Sequence, residues 1–283
     1  MLAIGAATVS LAPILVKAVA QWNVGPIGIA FWRCAFGAAL LAVLARARGH
    51  SLVVRGRLAL LLVLAGVAFA ADLTVWHHSI FLAGAGMATI LGNTQVFFTA
   101  LLATMFFRER LTPRFVAAAV SAVAGLILLV GVGSEVEFTP GYVRGIGFGL
   151  ATGVVYGVFL TLLRAAALSD RHGWTLVRPT WFSAVAALSL VAPAVGTGRA
   201  VPDAWPGWVV LLLLAVVAQV LGWWAISASV GRVEASVAGL TLMLQPVLAT
   251  VWSALLFGEA LAPLQILGAL VTLGAIYSGS ARR

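Results

Sequence analysis

Charged residues are scarce in this sequence. Of the 283 residues, 9% are Asp, Glu, Lys or Arg and 63% are hydrophobic, whereas a typical soluble domain is about one quarter charged. A chain of this length cannot hide so much apolar surface inside a soluble core. Lipid is the solvent that accepts such a surface, so we predict an all-α polytopic membrane protein.

Cysteine and nucleotide-binding motifs are also lacking. Cys34 is the single cysteine and lies within an apolar block, which excludes a disulfide framework and a cysteine zinc site. No GxxxxGK[ST] segment occurs, so ATP-driven pumping by this chain is not expected. An intramembrane enzyme is the alternative from another class, but the adjacent His77 and His78 would point about 100° apart on a helix and ligate a metal poorly. We therefore expect no catalytic residues, no metal and no cofactor.

Apolar blocks of membrane-spanning length make up most of the chain. About 20 residues of helix cross a hydrocarbon core of ~30 Å, and short turn-rich segments separate blocks of that size. We predict ten transmembrane helices at residues 2–21, 26–45, 58–82, 86–107, 112–132, 143–164, 175–195, 206–230, 234–257 and 262–280.

The basic residues are distributed unequally between the two sides of the predicted bundle. With both termini in the cytoplasm, thirteen fall on the cytoplasmic side: Arg46, Arg48, Arg55, Arg57, Arg108, Arg110, Arg114, Arg164, Arg171, Arg178, Arg232, Arg282 and Arg283. The other side has Arg144 and Arg199 in its loops. The bias predicts a multi-pass protein of the cytoplasmic (inner) membrane with both termini inside. The net charge of +9 is explained by basic loops that face the anionic headgroups of the lipid bilayer. We therefore expect the bilayer to be a partner of this protein and expect no binding to nucleic acid.

Two segments repeat each other across the chain. "FFRERLTP", ending at Pro113, aligns without a gap on "LFGEALAP", ending at Pro263, when the chain is slid by 150 residues. The slide matches Glu109 with Glu259, but the arginines beside Glu109 are replaced by glycine and alanine. Five helices separate the segments, so the second copy crosses in the opposite direction, and its turn lies outside, where positive charge is disfavoured. We predict two inverted five-helix repeats at 1–133 and 134–283, in which each glutamate caps the helix that follows it.

These segments, together with "LMLQPVLA" at 242–249 and "FWRCAFGAALLAV" in the second helix, resemble the drug/metabolite transporter superfamily, in its ten-helix form with two EamA repeats. The resemblance spans essentially the whole chain, although Pro246 has Val96 as its counterpart, so equal bending of helices 4 and 9 is not expected. It implies a secondary transporter that exports small metabolites, often amino acids, and aromatic and neutral amino-acid exporters are the most similar subset. It also implies alternating access through a central cavity lined by helices 1, 3, 4, 6, 8 and 9.

Two further expectations follow from the resemblance. Antiport of sugar phosphates or nucleotide sugars is the alternative within the superfamily, but such anions require several cationic groups, whereas Lys17 and Arg33 are the two embedded in apolar blocks. A chain that contains both repeats needs no partner to complete the cavity, so we expect a monomer, with a homo-oligomer left open.

Polar and aromatic side chains at membrane depth are the candidates for substrate contact, because each polar group there needs a partner or a function. We predict substrate binding by Trp76, His77, His78, Asn93, Gln95, Tyr156, Gln219, Trp223 and Gln245. For the glutamines of helices 4 and 9, hydrogen bonding across the helix interface is the alternative.

Asp72 is the one carboxylate well inside an apolar block. It or a neighbouring histidine could carry a coupling proton, and a fixed ion pair with Lys17 or Arg33 is the competing interpretation. Elsewhere, glycines at every fourth position of helix 6 predict close helix packing, and Pro13 predicts a kink in helix 1.

Overall fold

The computed structural model describes residues 1–130, 139–170, 172–173, 175–257 and 262–280. Within these ranges, the ten predicted helices are present with boundaries close to those expected. They are α1 Leu2–Ala20, α2 Pro26–Ala47, α3 Gly56–Gly84, α4 Gly86–Phe107, α5 Pro113–Val130, α6 Pro140–Ser169, α7 Val177–Gly196, α8 Trp205–Arg232, α9 Ala235–Leu256 and α10 Pro263–Ser280. The predicted turn at 131–135, the glutamate at position 259, and Arg171, Arg282 and Arg283 lie outside the described residues.

The outer surface of the bundle is apolar. Leu188, Leu255 and Phe106 are 74%, 70% and 67% exposed, and each would face water at a cost if the protein were soluble. Helices satisfy their own backbone hydrogen bonds, so they can carry such a surface into lipid. The all-α polytopic prediction is confirmed.

Contacts between α5 and α10 reveal an internal two-fold relation. Ala118 packs against Gly279 and Leu129 against Gly268, and adding or subtracting 150 converts the first pair into the second. Thr272 donates a hydrogen bond to the carbonyl of its own counterpart, Ala122, at 3.4 Å. The two helices therefore run antiparallel about a pseudo-two-fold axis, as inverted repeats require.

Three helices are interrupted near their middles. Helix α1 breaks at Ser10 and Leu11, just before Pro13, whose missing N–H removes a helical hydrogen bond. Helix α9 breaks at Met243, just before Pro246. Helix α4 breaks at Thr94, one residue from the counterpart of Met243, without a proline.

The break in α4 is stabilised by side chains instead of by a proline. Thr94 donates to the carbonyl of Leu91 at 2.6 Å, and Asn93 donates to the carbonyl of Thr89 at 2.8 Å. Such bonds compete with the regular helical pattern and bend helices. Both helices are thus interrupted, and different chemistry accompanies the interruption in the two repeats.

Glycines on α6 pack closely against α3 and α4 of the first repeat. Gly145 contacts Ala83 of α3, and Gly157 contacts Phe98 of α4, with two further glycines of the ridge between them. Small residues let backbones approach without a clash. The predicted packing face is confirmed.

Two of the basic residues counted in the sequence are not loop charges. Arg178 is buried at the start of α7, where it pairs with Asp170 and donates to the carbonyl of Ser227 at 2.7 Å. Arg164, near the end of α6, pairs with Glu109. Both lie at the end of the bundle that the sequence predicts to be cytoplasmic, but they hold helices together there.

Candidate functional site

A cavity with an empty volume of about 620 Å³ lies between the two halves of the bundle. Its lining comes from both repeats: Val9, Ser10, Pro13, Arg33, Phe69, Asp72, Leu73, Trp76, Thr89, Gly92, Asn93, Thr152, Tyr156, Trp223, Gln245, Pro246 and Ala249. These residues belong to the six helices that the resemblance implied and, through Arg33, to α2 as well.

All three helix breaks border this cavity. Ser10 lies at the break in α1, Asn93 precedes that in α4, and Gln245 follows that in α9. Irregular backbone at membrane depth is tolerated where it lines a cavity, and discontinuous helices form substrate sites in transporters built from repeats.

Arg33 is the basic residue of the lining and is only 2% exposed. Its Nε donates to Oε1 of Gln219 at 3.0 Å, and Nε2 of Gln219 donates to Oγ of Ser183 at 2.8 Å. The guanidinium carbon also lies 5.9 Å from the centre of the Phe69 ring, within the range of a cation–π interaction. These contacts fix the guanidinium at the cavity wall.

The segment of α8 that supplies Gln219 is π-helical, from Ala215 to Gly222. Most π-helical segments are single wide turns inside α-helices, and they are frequent at functional sites. Here the π-helix carries Gln219 towards Arg33 and is followed directly by Trp223 of the cavity wall.

Asp72 of α3 is the carboxylate of the lining and is 6% exposed. Its Oδ1 is buried without a hydrogen-bond partner in the described part of the chain. The two ion pairs found there are Arg164–Glu109 and Arg178–Asp170. The fixed pair of Asp72 with Lys17 or Arg33 is therefore not formed, and Lys17 is exposed on the surface of α1 instead.

Aromatic rings form much of the remaining wall. Phe69, Trp76, Tyr156 and Trp223 line the cavity. The rings of Phe69 and Trp223 meet edge to face at 5.1 Å, and those of Tyr156 and Trp223 at 6.2 Å. Nε1 of Trp223 is buried without a hydrogen-bond partner among the described residues, so it is an unused donor at the wall.

Neither histidine of α3 lines the cavity, although both were predicted to bind substrate. Nδ1 of His77 donates to the carbonyl of Pro26 at 2.9 Å, and Nδ1 of His78 donates to the carbonyl of Thr74 at 2.7 Å. A carbonyl can only accept, so each ring carries its proton on Nδ1. The rotation of α3 directs Asp72 and Trp76 towards the cavity and directs the histidines towards neighbouring backbone.

The glutamines divide into two kinds. Gln245 lines the cavity and donates to the hydroxyl of Tyr156 at 3.4 Å. Gln95, its counterpart in the first repeat, is fully buried outside the lining and donates to the carbonyl of Gly239 at 2.9 Å. Gln219 also lies outside the lining. Gln95 therefore makes the hydrogen bond across the helix interface that was the alternative to substrate binding.

Glu109 joins three helices at the end of the bundle that the sequence predicts to be cytoplasmic. Its Oε1 lies 2.5 Å from Nη1 of Arg164 and accepts from the backbone N–H of Ala235 at 2.7 Å. Its Oε2 accepts from the backbone N–H and the hydroxyl of Ser236. The carboxylate thus ties the ends of α4 and α6 to the start of α9, where the helix dipole favours negative charge.

This arrangement corrects the predicted cap. Glu109 caps α9, and α5 is capped by Thr112, whose hydroxyl accepts from the N–H of Phe115 at 3.1 Å. The glutamate equivalent at position 259 lies outside the described residues.

Several lining residues were missed because their side chains carry no obvious chemistry. Phe69 lies three and seven residues before Asp72 and Trp76, a spacing that puts it on their face of a helix. That spacing was the available signal for Phe69. Ser10 and Thr152 offered none, because hydroxyls are common in membrane helices.

Comparison with known proteins assigns the chain to a family. The model of the EamA-like transporter family matches residues 1–131 and again residues 143–278. The chain belongs to the EamA-like transporter family and is a membrane transporter of small molecules.

One similar solved structure, a crystal structure titled only as that of a protein, is 20% identical to this chain, with a TM-score of 0.79. The match covers 98% of this chain and 95% of the other, which shows the shared fold. Curated protein sequences give no match.

Proposed function

We propose that this transporter exports amino acids, most of all aromatic and neutral ones, across the cytoplasmic membrane by alternating access. The observation that carries the proposal is the central cavity, with aromatic walls and one residue of each charge. Transport requires no catalytic step, and one chain supplies the complete cavity, so we propose a monomeric carrier.

The charges of the cavity favour amino acids over anionic metabolites. Arg33 is the basic residue of the lining and is accompanied by Asp72. A sugar phosphate or a nucleotide sugar would bring at least two negative charges to one cation and one carboxylate, so repulsion would oppose its binding. Phe69, Trp76 and Trp223 suit an apolar or aromatic side chain instead.

The inverted repeats provide the physical basis for alternating access. Glu109 joins α4, α6 and α9 at the end of the bundle that the distribution of arginines predicts to be cytoplasmic, and we infer that this contact closes the cavity on that side. Exchange of conformation between the two halves would break this contact and expose the same cavity to the other side. This orientation also places both termini in the cytoplasm.

Uptake into liposomes tests the proposal. Purified protein is reconstituted, and labelled amino acids are compared with labelled sugar phosphates and nucleotide sugars. We expect saturable uptake of aromatic and neutral amino acids that unlabelled substrate inside the liposomes accelerates. Saturable exchange of sugar phosphates without amino-acid uptake would establish the alternative, and uptake that never saturates would indicate a channel.

A matched pair of tryptophans serves as a control for the cavity. Trp76→Ala removes a wall of the cavity, and we expect it to raise the KM for an aromatic amino acid by about tenfold, the effect of losing ~1.4 kcal/mol of binding. Trp205→Ala removes a ring that is 76% exposed at the start of α8 and should leave KM unchanged. Equal effects of the two substitutions would contradict the assignment of the cavity as the binding site.

A further inference from the structure

We propose, on the basis of the transport function above, that Arg33 and Asp72 recognise the two charged ends of a zwitterion. Arg33 binds the carboxylate and Asp72 binds the ammonium group of an α-amino acid. The substrate side chain then lies against the aromatic wall.

The first observation is a pair of opposite charges that share one cavity without pairing. Both side chains are more than nine-tenths buried and both line the cavity, and among the residues that the structure describes they form no ion pair with each other or with Lys17. A charge inside a membrane protein is costly unless a partner or a function compensates for it. A ligand that carries one positive and one negative group would compensate both charges at once.

The second observation is how Arg33 is held. Gln219 occupies Nε and the Phe69 ring lies near the guanidinium carbon, whereas Nη1 and Nη2 make no hydrogen bond to another side chain or backbone group in the described part of the chain. Two N–H groups at the end of a planar fork match the two oxygens of a carboxylate. Gln219 and Ser183 therefore act as positioning residues for the fork.

The third observation is the orphaned oxygen of Asp72. Oδ1 is buried and unpartnered, although buried acceptors in proteins are nearly always satisfied. An ammonium group offers three donors, one of which can satisfy this oxygen. Trp76 and Tyr156 line the cavity with Asp72, and aromatic faces attract a cation as well.

Analogues that lack one charged end test the recognition directly. Binding to purified protein in detergent is measured at constant pH by displacement of the best labelled amino acid from the uptake panel. The competitors are the parent amino acid, its N-acetyl derivative, which lacks the ammonium group, and its amide, which lacks the carboxylate. We expect each derivative to bind at least about tenfold more weakly than the parent.

Substitutions then assign each end to its residue. With Asp72→Asn, the parent amino acid should no longer bind more tightly than its N-acetyl derivative. The amide should still bind more weakly than the parent, as it does to the unsubstituted protein. Arg33→Met should have the converse effect, and Lys17→Met, which removes a cation outside the cavity, should leave both penalties unchanged. Because the readout is a ratio of affinities, it does not depend on the amount of folded protein, and the wild-type analogue series remains decisive if a variant fails to fold.

The inference and the proposed function fail in different ways. If amino acids are transported but both derivatives bind like the parent, the two-ended recognition is wrong and the transport function stands. The same holds if Asp72→Asn alters uptake driven by a pH gradient but leaves the affinity ratios unchanged, since Asp72 would then carry a proton. If no amino acid binds while sugar phosphates do, the proposed function itself is wrong.

Discussion

Gln219 shows how much one side chain can connect in a bundle of this kind. It is fully buried and joins Arg33 of α2 to Ser183 of α7 from a π-helical segment of α8. Its amide uses both its oxygen and its nitrogen in these bonds, so no other common side chain of similar size could replace it.

Replacement of Gln219 by methionine should destabilise the protein and weaken substrate binding. The change leaves Nε of Arg33 and the hydroxyl of Ser183 unpartnered, and each unsatisfied buried group costs ~1–3 kcal/mol. We expect a fall of several degrees in the apparent melting temperature in detergent and a higher KM in liposomes. Gln21→Met, at an exposed glutamine, is the control, and an equal fall in both variants would contradict the role of Gln219.

The glutamines of α4 and α9 show what the sequence could not decide at this scale. Gln95 and Gln245 occupy equivalent positions, yet one joins two helices and the other lines the cavity. Both are polar groups in apolar blocks, and hydropathy alone gives them the same interpretation. Their environments differ because the two repeats pack around the cavity with different neighbours.

At the scale of the element, the breaks in helices α4 and α9 show which interruptions a sequence can predict. The two breaks lie within one residue of equivalent positions, but Pro246 accompanies one break and Thr94 the other. A proline in the sequence marks a break reliably because it cannot donate a hydrogen bond. A threonine marks a break only where both its local hydrogen bonds and its tertiary contacts favour an interrupted helix.

The glycine ridge of α6 permits a direct test of helix packing. A Cβ atom at Gly153 would lie 2.1 Å from Oγ1 of Thr94, whereas one at Gly147, on the same helix, would meet nothing within 4 Å. We expect Gly153→Val to lower the apparent melting temperature and the yield of folded protein, because α4 and α6 must separate. Gly147→Val should be close to neutral. Similar melting temperatures for the two variants would show that this interface is not closely packed in the membrane.

The contact at Glu109 acts at the scale of the whole molecule. It joins three helices from both repeats at one end of the bundle, and its partners at the start of α9 are 126 and 127 residues distant in sequence. A buried carboxylate that loses its cation is costly, so this contact stabilises the arrangement of α4, α6 and α9 seen in the structure.

Replacement of Glu109 by glutamine should favour the opposite conformation. The change removes the charge that pairs with Arg164 and faces the dipole of α9. A cysteine introduced at Asn93 reports on the cavity in inverted and right-side-out vesicles, because the native Cys34 is fully buried. We expect Glu109→Gln to increase labelling from the cytoplasmic side by several-fold.

The exposed Glu234, immediately before α9, provides the matched control. Glu234→Gln removes the same charge close to the same helix and should not change the labelling. Labelling of the Asn93→Cys protein with Glu109 intact mainly from the cytoplasmic side would contradict the proposed closure of that side.

The sequence by itself determined that this protein lies in the membrane, how many times the chain crosses and that its two halves repeat. These properties depend on hydropathy, length and the order of charges along the chain, which do not require knowledge of helix rotation. Tertiary structure decided which side chains enter the cavity. On α3, Asp72 and Trp76 line it while the adjacent His77 bonds to backbone, because the rotation and tilt of each helix are set by packing against its neighbours. The partner of Glu109 was likewise decided by the fold, since a carboxylate caps whichever helix start the tertiary structure brings within reach.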